Sequence, residues 1–494
     1  MIHSITGLPI RKTIPFSNKY CFFSFLKIFS ILILTILTHT AIAQQIITDS
    51  TFYIKNTTDT NAYFVVKNIY LSGNKKTKDF IILREMPVQK GDSINADNLN
   101  AQLEKARELI HNTTLFEKVT VLPVLLNTHE LDILITVNEK WYIYPIPTIE
   151  LADRSFNEWI HTHNADLERL SYGIRFSHFN FSGKRDVLSL DLINGFRRKI
   201  SIDYSLPYIN KALTNGFKFG AGFSQTKEIP YATDAGNKLL YYENDGYEMN
   251  EWNVSASYVF RKKIKKKETF SVKFTHLNIS DSVSEKYNPG FFNSRTATQE
   301  FVDLKYELKY DDVDNIMYPL RGNSFSLLVN KRGLGFTGGL NFFSVMPAFN
   351  QYFTHPKSWY SSIRLSGEIK LPFTQPYYNT KALGYEDNYI RGLEYFVIDG
   401  VAFGLGKFDL KKKILHFEVP VIFKTNLVDK IPFTFYAKTY TDVGYVYNRF
   451  DSRLNNRFLY GGGFGIDIIT LYDFSISIEY SFNQLGQKGL FLHR

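Results

Sequence analysis

The residues with the clearest chemical potential are an adjoining arginine and glycine, Arg391 and Gly392, in the stretch NYIRGLEYFVIDG at 388–400. A guanidinium stays charged and presents a rigid fork of donors that matches the two oxygens of a carboxylate. An inter-strand loop that carries this arginine into a barrel lumen would therefore be tethered by a facing carboxylate. The rest of the chain has to supply both the barrel and the carboxylate.

Other reactive residue types form no convincing site. His161 and His163 offer two metal ligands, but histidines without an acidic or third partner nearby are more often surface residues. The chain has no Gly-x-Ser-x-Gly elbow and no phosphate-cradling glycine loop. We therefore expect no catalytic site, no metal site and no cofactor, and hence no enzyme.

The first 43 residues have the features of a cleavable signal peptide. Basic residues up to Lys27 precede the apolar run IFSILILTIL at 28–37, and the small-x-small site AIA follows at 41–43. The run is too short for a transmembrane helix, which needs about 20 apolar residues. We predict a signal peptide at 1–43 and a linker at 44–61. The only cysteine, Cys21, lies in this leader, so no disulfide or thiol chemistry is expected afterwards.

The composition favours a β protein that does not bind nucleic acid. The 494 residues include 32 Tyr and 43 Phe, and aromatic side chains favour strands. A mean hydropathy of −0.19 excludes a bundle of long apolar spans. The formal charge of +10 falls to +6 once the leader's four basic residues are removed. The basic stretch RKKIKKK at 261–267 is expected to be a solvated turn.

After the linker, the pattern predicts a small α+β module of strand, helix, helix, strand and strand. Apolar-rich strands are expected at 64–71, 116–125 and 131–137, and 98–110 has apolar residues at helical spacing. Thr77 is a candidate N-cap for a short helix through Glu85. Through FVVKNIYLSGN, KGD, LFEKV and LDILITVNEKW, residues 62–141 resemble a POTRA domain, the periplasmic unit of outer-membrane assembly proteins. A POTRA offers an exposed strand edge to extended clients.

From residue 142 to 494, segments of about ten residues alternate apolar and polar side chains, the pattern of transmembrane β-strands. In 301–311, for example, Val302 and Leu304 share one face, and Asp303 and Lys305 share the other. We count about 16 such segments, and the links after the first, fifth, seventh and eleventh are long. The predicted fold is mainly β: a transmembrane antiparallel β-barrel of about 16 strands, preceded by one small α+β domain of βααββ order.

Four stretches of this barrel resemble motifs of the BamA/TamA/FhaC superfamily, also called the bacterial surface antigen family. The loop IRGL at 390–393 is similar to its Val-Arg-Gly-Phe/Tyr motif, although Leu393 stands where the family prefers an aromatic residue. The strand YTDVG at 440–444 is similar to its Phe-x-Asp-x-Gly motif, and Glu418 stands where the family has an inward glutamate. The stretch DDVDNIMYPLRG at 311–322 resembles its periplasmic turn, with these matching residues: Asp311, Asp312, Pro319 and Gly322.

The resemblance implies that Arg391 and Gly392 enter the lumen and that Arg391 pairs with Asp442. With Gly444 and Glu418 these residues would form a structural or gating latch. Strand parity allows the pair independently, because the apolar phase at 433, 435, 437 and 443 turns Asp442 toward the lumen. The same parity turns Glu418 inward.

The resemblance also implies a function at the bacterial outer membrane. The chain is expected to be exported by its signal peptide, with its POTRA domain in the periplasm, and to mediate insertion, assembly or translocation of client proteins. Expected partners are unfolded outer-membrane or secreted client polypeptides, outer-membrane lipid and, as further candidates, periplasmic accessory proteins. Two alternatives stay open: a passive pore or structural barrel without insertase activity, and a two-partner secretion transporter for one dedicated exoprotein. The C-terminal GLFLHR, which lacks a terminal Phe, departs from the usual barrel ending.

Overall fold

The computed structural model of the chain describes residues 63–152, 159, 164–292, 295–335, 340–421 and 430–493. The predicted signal peptide, the linker, His161 and His163 lie outside the described residues. Within the described ranges, no helix is both long and apolar enough to cross a membrane.

The N-terminal module combines a four-stranded sheet with two helices. Its elements are β1 (Tyr63–Ser72), α1 (Asp79–Leu83), β2 (Ser93–Asn95), α2 (Ala96–His111), β3 (Phe116–Leu125) and β4 (Glu130–Glu139). The sheet order is β2-β1-β4-β3, and β1 runs parallel to β4. The face of α2 that its apolar spacing predicts is buried, including Leu99, Leu103 and Ala106.

Two details of the module differ from the prediction. Thr77 does not cap α1, because its hydroxyl forms hydrogen bonds with Tyr142 at 3.1 Å and Asn180 at 2.9 Å instead. The helix begins after Lys78 without a side-chain cap. The sequence pattern also missed β2, whose three residues are too few to show an alternation.

The described residues after the module form a sheet of sixteen antiparallel strands, which confirms the predicted count. Two small hairpins lie in the links between these strands. The elements are β5 (Ile143–Leu151), β6 (Leu170–Phe179), β7 (Val187–Gly195), β8 (Arg197–Leu206), β9 (Asn215–Thr226), β10 (Glu228–Thr233), β11 (Leu239–Glu243), β12 (Met249–Phe260), β13 (Lys266–Ile279), β14 (Thr298–Val313), β15 (Gly322–Arg332), β16 (Phe342–His355), β17 (Trp359–Leu371), β18 (Lys381–Leu383), β19 (Ile398–Asp399), β20 (Ala402–Pro420), β21 (Lys430–Tyr447), β22 (Phe458–Ile469), β23 (Ser475–Asn483) and β24 (Lys488–His493). The hairpins are β10–β11 and β18–β19.

The sheet turns apolar side chains outward and charged side chains inward. Ile200 and Ile202 of β8 are exposed, as is Val272 of β13, whereas Lys438 and Asp442 of β21 are buried. A soluble protein has the opposite distribution. This arrangement is that of a barrel wall surrounded by lipid.

The wall has a discontinuity between its first and last strands. Among the described residues, no ladder joins β5 to β24, although each is paired on its other side. In lipid, every backbone N–H and C=O group requires a partner. We call this unpaired boundary between β5 and β24 the seam.

At the end of the barrel away from the module, links from opposite walls meet. Asn237, after the fifth strand, exchanges hydrogen bonds with Val397, after the eleventh, at 3.0 and 3.1 Å. It also donates to Asn455, after the thirteenth strand, at 2.9 Å. The fifth and thirteenth strands lie eight positions apart in the sixteen-stranded sheet, so these links bridge the mouth. We call the described residues of links 227–248, 280–297, 372–401 and 448–457 the far-side cap. One buried apolar cluster lies largely within it, and a second lies between it and the adjoining strands.

Candidate functional site

Arg391 lies inside the barrel and is 4% exposed. Its Nη2 and Nε donate to Oδ1 and Oδ2 of Asp442 at 2.6 and 2.9 Å, and its backbone N–H donates to Oδ2 at 2.9 Å. Asp442 lies on β21 and is 0% exposed. The structure therefore brings together the arginine and the aspartate that the sequence singled out, with one carboxylate holding both the side chain and the backbone of the loop.

A second carboxylate, which the sequence analysis missed, completes the site. Arg391 Nη1 donates to Oδ1 of Asp409 on β20 at 2.6 Å, and Arg364 on β17 donates to Oδ2 of the same residue at 2.7 Å. Glu479 on β23 lies 3.7 Å from Arg391 Nη1. The guanidinium also stacks over the ring of Tyr440 at 4.0 Å, an arrangement favoured by the negative ring face. The loop is thus connected directly to β20, β21 and β23, and through Asp409 to Arg364 of β17.

Glycines allow the loop to approach the wall this closely. Gly392 has a φ of +95°, a conformation that favours glycine. A Cβ at Gly461 on β22 would lie 2.1 Å from the carbonyl oxygen of Arg391, and one at Gly444 would lie 2.9 Å from Ile390. Gly444, predicted from the strand motif, therefore provides space for the loop and does not bind it.

The arginine loop also contacts the last hairpin. The ring of Tyr389 stacks on His493 at 5.2 Å, and its hydroxyl lies 3.0 Å from His493 Nδ1. Tyr395 contacts the ring of Phe491 at 5.5 Å. Asn483, at the end of β23, donates to the carbonyl of Gly392 at 2.5 Å. One loop therefore connects β21 with the strand that borders the seam.

Glu418 lies apart from this cluster. It forms an ion pair with Lys430 at 3.1 Å, and both side chains are more than one third exposed. A second interior cluster lies between it and Arg391, in which Lys438 and Lys411 bind Asp467 at 2.5 and 3.1 Å. The predicted latch therefore joins Arg391 to Asp442 but does not include Glu418.

The predicted turn at 311–322 connects the barrel to the module. Asp312 accepts from Lys105 of α2 and from Lys265, both at 2.6 Å. Gly322 has a φ of +104°, and a Cβ there would lie 2.0 Å from the Asp312 carbonyl oxygen. Pro319 is half-buried in the turn, and the backbone N–H of Asp311 donates to Lys265 O at 3.0 Å.

A second docking point centres on Glu85, which follows α1 and is 1% exposed. Arg261 donates to both of its oxygens, with Nη2 2.8 Å from Oε2, and Arg84 and Arg185 lie 3.3 and 3.6 Å away. Burial alone would raise the pKa of Glu85, but the charge and hydrogen bonds of Arg261 outweigh it and hold the pKa below its usual value. The expectation of a solvated turn at 261–267 is therefore wrong for Arg261.

Comparison with known proteins identifies the module. Residues 64–140 match the POTRA family model, described as a surface antigen variable number repeat, which confirms the predicted POTRA domain. Curated protein sequences give no match.

Similar solved structures have low sequence identity. BamA from Haemophilus ducreyi lacking POTRA domains 1–3 has a TM-score of 0.49 at 14% identity, over 87% of this chain and 83% of that one. CdiB from Acinetobacter baumannii has a TM-score of 0.44 at 13% identity, over 87% and 73%. CdiB from Escherichia coli has a TM-score of 0.46 at 12% identity, over 95% and 97%.

Proposed function

We propose that this chain, a POTRA domain ahead of a sixteen-stranded barrel wall, is an outer-membrane protein of the BamA/TamA/FhaC superfamily that inserts or translocates client proteins without a cofactor. The observation that carries the proposal is the seam between β5 and β24. An exposed strand edge recruits further strands, and unpaired backbone groups in lipid cost several kcal/mol each. A client strand that enters the seam gains partners which neither lipid nor water supplies there.

The POTRA domain provides a receiving surface for such clients. Its strand β3 lies at one edge of the sheet and is paired only with β4 among the described residues. An extended segment can add to this edge through backbone hydrogen bonds. Because Asp312 and Glu85 hold the domain against the barrel turns, a bound client would be kept beside the barrel.

The far-side cap supports a gated barrel over the alternative of a passive pore. Asn237 and Asn455 bridge opposite walls. Asn237 also binds Val397, and Arg391 secures the link that contains Val397 to the strands beneath it. A permanently open pore has no need of links that cross its mouth. The resting protein is therefore proposed to conduct poorly until the cap or the seam moves.

Depletion followed by proteomics of the outer membrane and the secreted fraction tests the function. Loss of many barrel proteins is the expected result and supports assembly. Loss of one exported protein would indicate dedicated secretion instead. Unchanged levels of both fractions, together with a large steady conductance of the purified protein in planar bilayers, would contradict both functions and favour the pore.

A further inference from the structure

A cavity of about 250 Å³ lies where the end of α2 meets the inner face of the barrel wall. Leu109 and Asn112 of the module line one side, and the ends of β8, β9, β12, β13 and β14 with the turns beside them line the other. The space is smaller than the about 300–1,000 Å³ of pockets for drug-sized ligands, so it suits a small ion. Five of its lining residues are basic and one is acidic: Arg185, Lys218, Arg261, Lys265, Lys267 and Asp311.

Two of the five cations have carboxylate partners of their own. Arg261 binds Glu85, with Nη2 2.8 Å from Oε2. Lys265 binds Asp312 at 2.6 Å. Arg185 approaches Glu85 only to 3.6 Å, and Arg261 already matches the charge of that carboxylate. The charge of Arg185 is therefore left unbalanced.

The two remaining lysines of the cavity are unpaired. Among the residues that the structure describes, no ion pair or hydrogen bond engages the ammonium group of Lys218 or of Lys267. Both side chains lie on the inner face, since Phe219 and Phe270, which have the opposite parity, are exposed on the lipid side. Lys267 also stands directly opposite Lys309 in the β13–β14 ladder, where like charges repel.

The carboxylates beside these lysines do not neutralise them. Glu307 pairs with Lys309 at 2.9 Å. Asp311 lines the cavity and forms no ion pair with a described residue, so it offsets one charge. The three unmatched cations, set against Asp311, leave an excess of two positive charges in a half-buried space. Charge that is removed from water without a counter-charge is unfavourable, so the cavity favours a bound anion.

We propose that this cavity binds a small phosphate-type oxyanion, held by Arg185, Lys218 and Lys267. A phosphate monoester carries about 1.5–2 negative charges at pH 7, which match the excess of positive charge. The two lysines supply rotatable donors, and the guanidinium of Arg185 supplies a fixed charge with directional donors. Ser205, which stands opposite Lys218 in the β8–β9 ladder, adds a hydroxyl donor. The site is separate from the arginine loop and goes beyond the proposed handling of clients.

A phosphate group reaches such a site either in solution or as the headgroup of a lipid. The cavity lies inside the wall, and the lipid-facing side chains of β9 and β13 point the other way. The wall therefore separates the cations from the acyl chains, which favours a dissolved phosphate or phosphate ester.

Isothermal titration of the full-length protein with inorganic phosphate, in phosphate-free buffer and non-ionic detergent, tests the site. NaCl at matched ionic strength is the reference for general screening. The double variant Lys218→Gln, Lys267→Gln is expected to bind phosphate about tenfold more weakly, because it removes two charge-assisted hydrogen bonds. The double variant Lys262→Gln, Lys263→Gln is the control of equal net charge, since both lysines are exposed and neither lines the cavity.

The titration also has outcomes that count against the site. Heat no greater than that of NaCl, or equal weakening in both double variants, would overturn it. Short-chain phosphatidic acid, titrated as monomers, separates the two sources of phosphate. Binding of both probes supports a site for the phosphate group itself, and binding of the lipid alone would overturn the dissolved source.

A stability measurement provides an independent readout. In phosphate-free buffer, Lys267→Gln removes the repulsion by Lys309, so its denaturation midpoint is expected to lie above that of the unmodified protein. Added phosphate should raise the midpoint of the unmodified protein more than that of the variant, because a ligand that binds only the folded state stabilises it. Equal phosphate shifts, or a lower midpoint of the variant without phosphate, would contradict the proposal. Neither measurement uses a client, so their outcome is distinct from that of the depletion experiment.

Discussion

At the scale of residues, the arginine of the loop depends on more than one carboxylate. Asp442 supplies three of the hydrogen bonds to Arg391, and Asp409 supplies a fourth while also binding Arg364. Arg391, Asp409 and Asp442 are buried, so water cannot replace a missing partner among them. Removing one member of a buried ion pair leaves the other charge uncompensated, at a cost of about 3–5 kcal/mol.

Asp442→Ala is therefore expected to destabilise the barrel about as much as Arg391→Ala, by about 3–5 kcal/mol. The double variant should lose little more than either single variant, because both remove the same interaction. The denaturation midpoint in detergent micelles measures the loss. Clearly additive losses would argue against a direct pair, and Lys430→Ala, which removes the exposed partner of Glu418, serves as a control with little effect.

Gly461→Ala is expected to displace the arginine loop, because the new Cβ would lie 2.1 Å from the Arg391 carbonyl oxygen. A clash with backbone that cannot move aside costs about 1–3 kcal/mol. Gly404→Ala on β20 is the matched control, since nothing lies within 4 Å of its added Cβ. Protease cleavage within 388–400 of the folded protein measures loop release. Equal cleavage of the two variants would show that the loop does not depend on this approach.

The alternation of side chains along β21 predicted that Asp442 faces the lumen. It did not predict that Asp409 and Glu479 would lie beside Arg391 as well. The interior phase of β20 carries Lys407, Asp409 and Lys411 alike, and alternation does not tell which of them stands opposite the arginine. Which of the three residues meets Arg391 depends on how far the arginine loop extends into the barrel, and three-dimensional packing sets that depth. The family resemblance placed Glu418 in the same latch. In the structure Glu418 lies near the C-terminal end of β20, where it pairs with Lys430.

At the scale of elements, the module is fastened to the barrel by charged contacts. Glu85 binds Arg261 from the turn between β12 and β13, and Asp312 binds Lys105 of α2. Both contacts join separate elements, so their strength governs docking more than the folding of either partner. Charged contacts of this kind respond to pH.

Docking is expected to weaken in acid. The pKa of Glu85 is lowered in the docked protein, so its contribution is fully present above the unbound carboxyl pKa of about 4.3 and is lost as pH falls through the lower, docked value. Spin labels at Thr128→Cys and Lys262→Cys, both exposed sites, report the separation of the module from the barrel.

Two glutamate-to-glutamine substitutions serve as the test and the control in this measurement. Glu85→Gln should broaden the label distance at neutral pH, because Arg261 loses its buried partner. In this variant, acidification should change the distance between the labels little further. Glu130→Gln alters an exposed pair with Lys67 and should behave as the unmodified protein. An unchanged acid response in Glu85→Gln would assign the pH dependence to other groups.

Strand number and the longer helix followed from periodicity, since the sixteen barrel strands and α2 are long enough to show it. The shortest strands could not be predicted from periodicity. Neither β2 nor the hairpin of β18 and β19 exceeds three residues per strand, and each forms only because a partner strand is presented to it.

At the scale of the whole molecule, the far-side cap joins walls that are distant along the chain. Asn237 binds Val397 and Asn455 and accepts from Leu454 N at 2.9 Å, so three links meet at one buried amide. Nothing in a single strand's alternation indicates which links will meet.

Asn237→Ala is expected to loosen the cap and raise the conductance of single channels in planar bilayers. Each lost hydrogen bond of a buried amide costs about 1–3 kcal/mol when its partners stay unsatisfied. Asn127→Ala, in the exposed turn between β3 and β4, is the control and should conduct as the unmodified protein. Equal conductance of both variants would mean that the cap does not limit passage.

The bond between Asn237 and Asn455 also constrains the perimeter of the barrel. Each strand occupies about 4.8 Å of a barrel's circumference, so a strand entering the seam has to lengthen it. The far rim is braced across its diameter, whereas the contacts of Glu85 and Asp312 at the other rim can be exchanged for water. We therefore expect the wall to widen into a cone that is broadest toward the POTRA domain, so that an entering strand is admitted from the periplasmic rim upward.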